Sequence, residues 1–390
     1  MSTAASRDGR PQPRLLVVAN VAWFLISHRL PLVVGARAAG FDVHVAAGGA
    51  TPEDVSVFDT HGIPFHSLQL KRSARGLASN LALPVQLGRL YRQLRPDIVH
   101  HVTVKPVLFG TLAARWSGVP AVVNAVSGMG YAFTAGEGRR AWTRRIVELG
   151  YRTCLRHPNM KVIVQNDDDA HELASVADLR GEQVVLIHGS GVDLSRFRVS
   201  PEPPSPPVVV LLPARMLRDK GVEEFAQAIR LLRDRGLAVE GRLAGGTDPG
   251  NLAAIDEPAL RRMERECGVR WLGHHTDMPR LLSDAHIVCL PSYREGLPKA
   301  LAEAAAAGRP IVTTNVPGCR DVVEHGVNGL LVPPRTVGSL ADSIEALATD
   351  AERRAAMGAA GRRRAEREFD VQAVVAQTLQ VYSDLMHRRP

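Results

Sequence analysis

The chain predicts two α/β domains, each a doubly wound parallel sheet, and three observations carry that prediction. Short apolar strands alternate with helical stretches along its length, the pattern of parallel sheets covered by helices. The segment Val199-Ser-Pro-Glu-Pro-Pro-Ser-Pro-Pro207 has five prolines in nine residues and suits neither a helix nor a central strand. At 390 residues the chain is too long for one ordinary core. The expected layout is a first domain over residues 14–198, a semi-stiff linker over 199–207, a second domain over 208–368 and a terminal segment over 369–390.

In the first half the strands are expected at Arg14–Asn20, Phe41–Ala47, Pro64–Leu68, Asp97–His101, Pro120–Asn124, Lys161–Gln165 and Gln183–His188. Each is a short apolar run bounded by turn-forming or charged residues. Helices are expected between them at Phe24–Ala39, Leu77–Leu94, Val107–Ser117, Arg139–Arg156 and Asp168–Ala177. The second half continues the alternation. Strands are expected at Val208–Pro213, Val239–Ala244, Val269–Gly273, Ile287–Pro291, Ile311–Thr314 and Gly329–Val332, and helices at Val222–Arg235, Ala259–Cys267, Met278–Ala285 and Lys299–Ala307, with further helices to the C-terminus. Pro298 before the first turn of Lys299–Ala307 and Gly308 just past its end are the usual helix punctuation.

Composition narrows the class. The four cysteines, Cys154, Cys267, Cys289 and Cys319, form no CxxC pair, which argues against a structural zinc site or disulfide framework and suits a reducing cytoplasm. Met1 to Arg14 is polar, without the apolar core of a signal peptide, and reads as a disordered leader. No apolar run approaches the ~18 residues of a spanning helix. The net charge of +8 falls entirely in residues 1–198, with 23 Lys and Arg against 15 Asp and Glu; residues 199–390 hold 25 of each. A basic half suggests an anionic partner there, whether nucleic acid, a phosphorylated acceptor or an anionic membrane surface, or else a plain compositional bias. Neither half has GxGxxG after its first strand or a P-loop, so dehydrogenase and P-loop readings lose their main support.

Tyr293-Arg-Glu-Gly-Leu-Pro-Lys-Ala-Leu-Ala-Glu303 places Glu295 in a loop at a strand's C-terminal end and Glu303 on the helix that follows. That edge of an open α/β sheet is where ligands bind. Taken alone, the two glutamates fit a site or a solvated helix. After the second domain's first strand, Arg215 and Lys220 lie five apart before a helix. A planar guanidinium, a compact ammonium and a helix N-terminus make a diphosphate clamp, although two loop cations are also ordinary surface. Gly245 and Gly246 end another strand, either for close backbone approach to a ligand or as a simple turn.

An Arg-x4-Lys after the first strand, a Gly-Gly loop and Glu-x7-Glu enclosing Gly-Leu-Pro, in this order, resemble the family 4 retaining glycosyltransferases. Val192-Asp193 is similar to that family's Asn-Gly-Val-Asp element, with Ser190 in place of Asn. The likeness runs from Leu15 to about Tyr382. It implies a GT-B fold, two Rossmann-like domains facing a cleft, with the terminal helix crossing back onto the first domain. Ser27-His-Arg-Leu-Pro31, Thr103-Val-Lys-Pro106 and Gly128-Met-Gly-Tyr-Ala-Phe133 resemble enzymes that add a sugar, often an N-acetylhexosamine, to polyprenyl-diphosphate-linked saccharides in bacterial surface-glycan assembly.

The resemblance implies site roles. Arg215 and Lys220 would hold the donor diphosphate and Glu303 the ribose hydroxyls, since a carboxylate accepts two hydrogen bonds at once. Glu295 would contact the donor sugar, with Gly245, Gly246, Ser190 and the backbone around Gly296 and Leu297 completing the donor pocket. Family members carry a histidine near the end of the strand Asp97–His101. Adjacent strand residues face opposite sides, so one of His100 and His101 lines the cleft, and His101 is selected. His28, Arg29 and Lys105 are candidate ligands for an acceptor diphosphate, each also readable as surface. No cofactor or metal is expected. Preorganised cations and amide dipoles stabilise the departing diphosphate, and the only DxD, Asp167-Asp168-Asp169, reads as helix capping.

Arg139–Arg156 holds six arginines among apolar residues, with Trp142, Ile146, Leu149 and Tyr151 to Leu155 near one stripe. It is either an interfacial helix on anionic lipid or a core helix with a solvated basic face. The expectation is a cytoplasmic, peripheral glycosyltransferase with a UDP-linked donor and a saccharide or lipid-linked acceptor. A nucleotide-sugar epimerase of the same fold is the nearest rival. A nucleic-acid-binding protein is disfavoured by 5% aromatic content and the lack of any recognition motif.

Overall fold

A computed structural model describes residues 12–70, 82–128 and 139–387, without the side chains of 139–144 and 146. Most of the expected leader, the start of the expected Leu77–Leu94 helix and Met129–Phe133 of the glycine-aromatic motif lie outside the described residues. The chain forms two compact units: unit 1 runs to Ser190 and resumes at Gln372, and unit 2 is Gly191–Val371.

Unit 1 is built from β1 (Arg14–Val21), α1 (Ala22–Ala38), β2 (Asp42–Gly48), α2 (Pro52–Thr60), β3 (Phe65–Ser67), α3 (Leu83–Leu94), β4 (Ile98–Val102), α4 (Thr111–Trp116), β5 (Ala121–Ala125), α5 (Arg139–Cys154), β6 (Met160–Val164), α6 (Asp167–Ala177) and β7 (Val184–Leu186). Its seven strands lie in the order β3-β2-β1-β4-β5-β6-β7, all parallel. The chain winds outward in both directions from the β1/β4 pair, and a sheet covered on both faces needs continuous apolar strands such as Leu15–Ala19, all buried. On one face Val18, Val99 and Val122 pack with Leu87 and Tyr91 of α3, with Tyr151 of α5 and with Leu155 just beyond it.

The helix α2 was not expected. Its start is written in Thr51-Pro-Glu-Asp54: the Thr51 side chain accepts from Asp54 N–H at 3.2 Å, and Asp54 accepts from Thr51 N–H at 3.0 Å. In the expected Val107–Ser117 helix, Pro106–Gly110 is wound as a π turn before α4. At α6 the cap is Asn166, whose side chain accepts from Asp169 N–H at 2.7 Å, so Asp167 to Asp169 form the first turn.

Unit 2 comprises β8 (Val208–Pro213), α7 (Val222–Asp234), β9 (Val239–Ala244), α8 (Glu257–Cys267), β10 (Val269–Gly273), α9 (Met278–Ser283), β11 (Ile287–Leu290), α10 (Lys299–Ala306), β12 (Ile311–Thr314), β13 (Gly329–Val332), α11 (Val337–Ala348) and α12 (Ala351–Arg364). Its sheet runs β10-β9-β8-β11-β12-β13, again parallel, with the winding reversed between β8 and β11.

The proline-rich segment is not the boundary. The unit division falls at Ser190/Gly191, and residues 199–207 are fastened to unit 2. The buried Arg309 guanidinium donates to Ser200 Oγ at 2.7 Å and Pro201 O at 3.1 Å, and Arg354 pairs with Glu202 at 2.8 Å. The last helix, α13 (Val371–His387), belongs from Gln372 onward to unit 1, where Asn159 Nδ2 donates to Leu385 O at 3.0 Å.

Candidate functional site

In unit 2 the two loops that leave β8 and β11 are tied into one structure. Tyr293 N–H donates to Asp219 O at 2.9 Å, and Lys220 Nζ pairs directly with Glu295 Oε1. Gly221 permits this approach. Its φ is +70°, and a Cβ there would collide with Pro291 O, so only glycine carries the chain into α7 beside the end of β11. Glu295 Oε1 also accepts from Ser292 Oγ at 2.7 Å. The Tyr293 hydroxyl donates to Glu224 Oε1 at 2.5 Å, with the Arg335 guanidinium 4.4 Å above its ring. Burial and the adjacent Glu224 push the Tyr293 phenol upward, so it stays a neutral donor.

Arg215 is held at the same edge. Its Nη1 donates to Asp248 Oδ2 at 2.6 Å; the carboxylate is buried while the arginine side chain remains 45% exposed. A guanidinium has five donors, so a pinned Arg215 still presents most of its fork outward. Glu303 lies on α10 and is 8% exposed, with Lys299 Nζ at 3.6 Å. Burial raises its carboxyl above the ordinary glutamate range, opposed by the charges of Lys299 and Arg196. Arg196 itself donates to Thr276 O at 3.2 Å.

Four expected donor residues from unit 2 take distinct places. Gly245 is structural: its N–H donates to Gly273 O at 2.8 Å, its carbonyl accepts from Trp271 Nε1 at 2.9 Å, and a Cβ would strike Ala214 O. Its amide is therefore not available to a ligand, which corrects the expectation of a donor contact. Gly246 is open, with His274 Cβ 3.5 Å from where its own Cβ would stand. Gly296 and Leu297 are buried in the loop between Glu295 and α10, against Gly318, whose φ of +82° and close approach to the carbonyls of Glu295 and Gly296 again require glycine.

Ser190 closes unit 1. Beyond it Val192 pairs with Asp370, and Asp193 Oδ1 caps its own turn by accepting from Ser195 N–H at 2.9 Å and Ser195 Oγ at 2.6 Å.

In unit 1 both histidines of β4 are buried, one on each face of the sheet. His101 is wholly inaccessible. Its Nδ1 meets Asn124 Oδ1 at 2.8 Å and its Nε2 the Tyr91 hydroxyl at 2.9 Å; Gly110 makes room, since a Cβ there would hit the ring. Burial holds this imidazole down to about 4, so it is neutral and fully hydrogen-bonded. The expected catalytic His101 is thus a structural residue, because a parallel strand covered on both faces hides both histidines rather than exposing one.

His100 faces the other way. Its Nδ1 lies 2.6 Å from the Tyr382 hydroxyl of α13, and its Nε2 has no partner. Arg29, expected as a surface ligand, is 5% exposed beside them. His28 is stacked on Phe24 at 4.2 Å and bonded to Ser27 Oγ at 2.7 Å. Lys105 is half-buried beyond the end of β4, and desolvation lowers its ammonium. Asp248, Ser292, Arg196, Tyr293 and Tyr382 had not been singled out. Apart from Ser292, which bonds Glu295 three residues on, each acts through a contact distant in sequence, and only Ser292 and Tyr293 sit in or beside a motif that could have flagged them.

The described residues include no group of three or more His, Cys, Asp or Glu placed to hold a metal ion, and no helix long and apolar enough to cross a membrane. Residues 14–157 match the glycosyl transferase 4-like family and residues 207–350 match glycosyl transferases group 1. The chain is 26% identical over 284 residues to N,N'-diacetylbacillosaminyl-diphospho-undecaprenol alpha-1,3-N-acetylgalactosaminyltransferase of Campylobacter jejuni, covering 68% of this chain and 71% of that protein. It is 24% identical over 377 residues to the capsular polysaccharide biosynthesis glycosyltransferase CapM of Staphylococcus aureus, covering 93% and 96%. The solved structure of Anabaena HepE with UDP and glucose has the same fold at a TM-score of 0.77 and 18% identity, over 96% of this chain and all of that one. With both halves matched and the paired loops of unit 2 in place, the chain belongs to the family 4 glycosyltransferases of GT-B fold.

Proposed function

We propose that this glycosyltransferase moves a hexose or N-acetylhexosamine, with retention, from a UDP-linked donor to a saccharide carried on a polyprenyl diphosphate, in bacterial surface-glycan assembly. The observation that carries the reading is the convergence of Arg215, Lys220, Glu295 and Glu303 at the C-terminal edge of unit 2's sheet, where the winding reverses. The names of the Campylobacter and Staphylococcus relatives supply the acceptor class and the glycan context.

As the glycosidic bond breaks, negative charge grows on the departing diphosphate. The Arg215 fork and the Lys220 ammonium meet it, already held by carboxylates and so with little reorganisation. Glu303 accepts from the ribose hydroxyls. Glu295, with one oxygen bound by Lys220 and Ser292, keeps the other for a sugar hydroxyl. Gly246 and the backbone of Gly296 and Leu297 line the donor, and Ser190 belongs to the same proposal. His28 and Lys105 serve the acceptor. Two cations take the charge that a divalent metal would otherwise take, so a chelator is expected to leave turnover unchanged.

A thermal-shift screen of UDP-, GDP- and ADP-sugars tests the donor, because a ligand stabilises the native state by mass action. UDP-sugars should raise Tm, and Glu303→Ala should remove most of the rise. A UDP-sugar consumed without acceptor to give an epimer would instead favour the epimerase.

A cytoplasmic, peripheral membrane location is part of the proposal. On α5, Arg145, Leu149 and Arg152 recur at helical spacing and are exposed, Leu149 by 62%, as is Arg156 just past its end, while Tyr151 and, beyond the helix, Leu155 turn into the core. The two readings of this segment thus describe opposite faces of one helix; the side chains of Trp142 and Ile146 lie outside the described residues. An exposed basic stripe with a leucine in it suits an anionic lipid surface. Sedimentation with anionic but not neutral liposomes at low salt is the expected result. Equal sedimentation with both would refute it.

A further inference from the structure

Arg29 is the least satisfied charge among the described residues of unit 1. Its side chain is 5% exposed, its Nε has no partner, and it forms no hydrogen bond or ion pair among those residues. Burial lowers its guanidinium to about 10, and the only other group acting on it is the Tyr382 phenol. A buried cation without a counter-charge is rare in folded proteins, because losing water is offset only by pairing.

The surroundings point to what is missing. His100 is next to Arg29, 1% exposed, with Nδ1 on the Tyr382 hydroxyl at 2.6 Å and Nε2 unpartnered. When Nδ1 accepts from Tyr382, Nε2–H is a donor with no acceptor. Arg29 lies seven residues beyond the start of α1, about 10 Å along its axis. Just past β4, three residues beyond His100, Thr103 holds a φ of +74° with its buried Oγ1 also unpartnered. A threonine in the left-handed region is strained, and such strain clusters where ligands bind. Guanidinium and imidazole N–H are both donors, and no carboxylate is among the groups acting on either of them.

We propose that Arg29 and His100, backed by Tyr382, form a buried oxyanion site at the winding switch of unit 1, and that it takes a phosphate group. It deepens the acceptor reading above by naming a phosphate oxygen of the acceptor as its ligand, and it rests on that reading for the lipid source alone. A free anion and a prenyl diphosphate share this chemistry, so inorganic pyrophosphate and farnesyl diphosphate are the two probes.

The test uses the full chain carrying Arg215→Ala and Lys220→Ala, which silences the diphosphate clamp of unit 2. At about ten times Kd, either probe should raise Tm by about 2–4 °C. Adding Arg29→Met should abolish that rise while leaving the ligand-free Tm unchanged or higher, because an uncompensated charge has been removed. Arg29→Lys should keep part of the rise. A rise with pyrophosphate alone supports the oxyanion site and overturns the lipid source. No rise with either probe, a rise that survives Arg29→Met, or a large drop in ligand-free Tm in Arg29→Met would overturn the proposal. If transfer to a polyprenyl-diphosphate acceptor is absent yet the Arg29-dependent rise is present, the acceptor reading fails and this site stands.

Discussion

The two units treat their cations in opposite ways at the same topological place. At the winding switch of unit 2, Lys220 is paired with Glu295, Arg215 with Asp248 and Glu303 with Lys299. At the switch of unit 1, Arg29, His100, Thr103 and the Asn20 carboxamide oxygen each leave a buried polar atom without a partner; in unit 2 the buried atoms left so include the carboxylate oxygens Asp219 Oδ1 and Glu224 Oε2, but its site cations are paired. Unit 2 therefore has a site whose geometry is set before a ligand arrives, and unit 1 one that a ligand would complete. The contrast follows from the chemistry each side faces. Stabilising a charge that develops during bond breaking rewards fixed cations, whereas unfilled donors suit recognition of a group already charged.

The largest expected effect comes from breaking the preset side. Lys220→Ala should lower kcat by about 10²–10³-fold, in the range found for losing one preorganised donor to a developing charge. It should also destabilise the protein by about 2 kcal/mol, because Glu295 is left mostly buried without its cation. Lys220→Ala/Glu295→Gln should recover the stability and none of the turnover. If the double variant also regains turnover, the pair is structural and unit 2 has no preset clamp.

Acid separates the units next. Among the described residues, His44, His66, His100, His101 and His157 of unit 1 are all held below the ordinary histidine range by burial, while in unit 2 only His286 is. A depressed histidine binds fewer protons folded than unfolded, so its contribution is intact above about pH 6.5 and is lost as pH falls toward the folded value. For His101, held at about 4, the loss between pH 6.5 and 4 amounts to up to about 3 kcal/mol. Hydrogen exchange at pH 5 should show the strands of unit 1 opening before those of unit 2. Simultaneous opening of both sheets would erase this distinction.

The sequence made the architecture legible because parallel strands covered on both faces must be continuous apolar runs, and those runs stand out between polar helical stretches. Helix α2 escaped, despite the capping box at its start, because its apolar face is slight, with Phe58 alone fully buried. The donor site was legible as well, since Arg215, Lys220, Glu295 and Glu303 sit in loops and a helix whose spacing carries the pattern. Their partners were not, as Asp248 is 33 residues from Arg215 and Tyr382 is 282 from His100. His101 was misplaced because strand alternation tells which face a side chain takes, not whether that face is covered. The proline segment misled for a related reason: its composition excludes regular structure, but the arginines that fasten it lie at 309 and 354.

Asp248 offers the finest test of the preset side, and the smallest effect. Its carboxylate is buried, while Arg215 is half-exposed. The pair therefore acts as a tether on the guanidinium rather than as a competitor for it. Asp248→Asn keeps the shape and a hydrogen-bond acceptor but removes the charge that fixes the fork. If the tether presets Arg215, the variant should bind a UDP-sugar about three- to tenfold more weakly, since a charge-assisted hydrogen bond is worth roughly 1 kcal/mol more than a neutral one. If Asp248 instead competes with the diphosphate, the same substitution tightens binding. Calorimetric titration of the two proteins with one UDP-sugar gives the sign directly. A tighter complex would mean that the charge of unit 2 is restrained until the donor arrives, bringing the two units closer in kind than their contacts suggest.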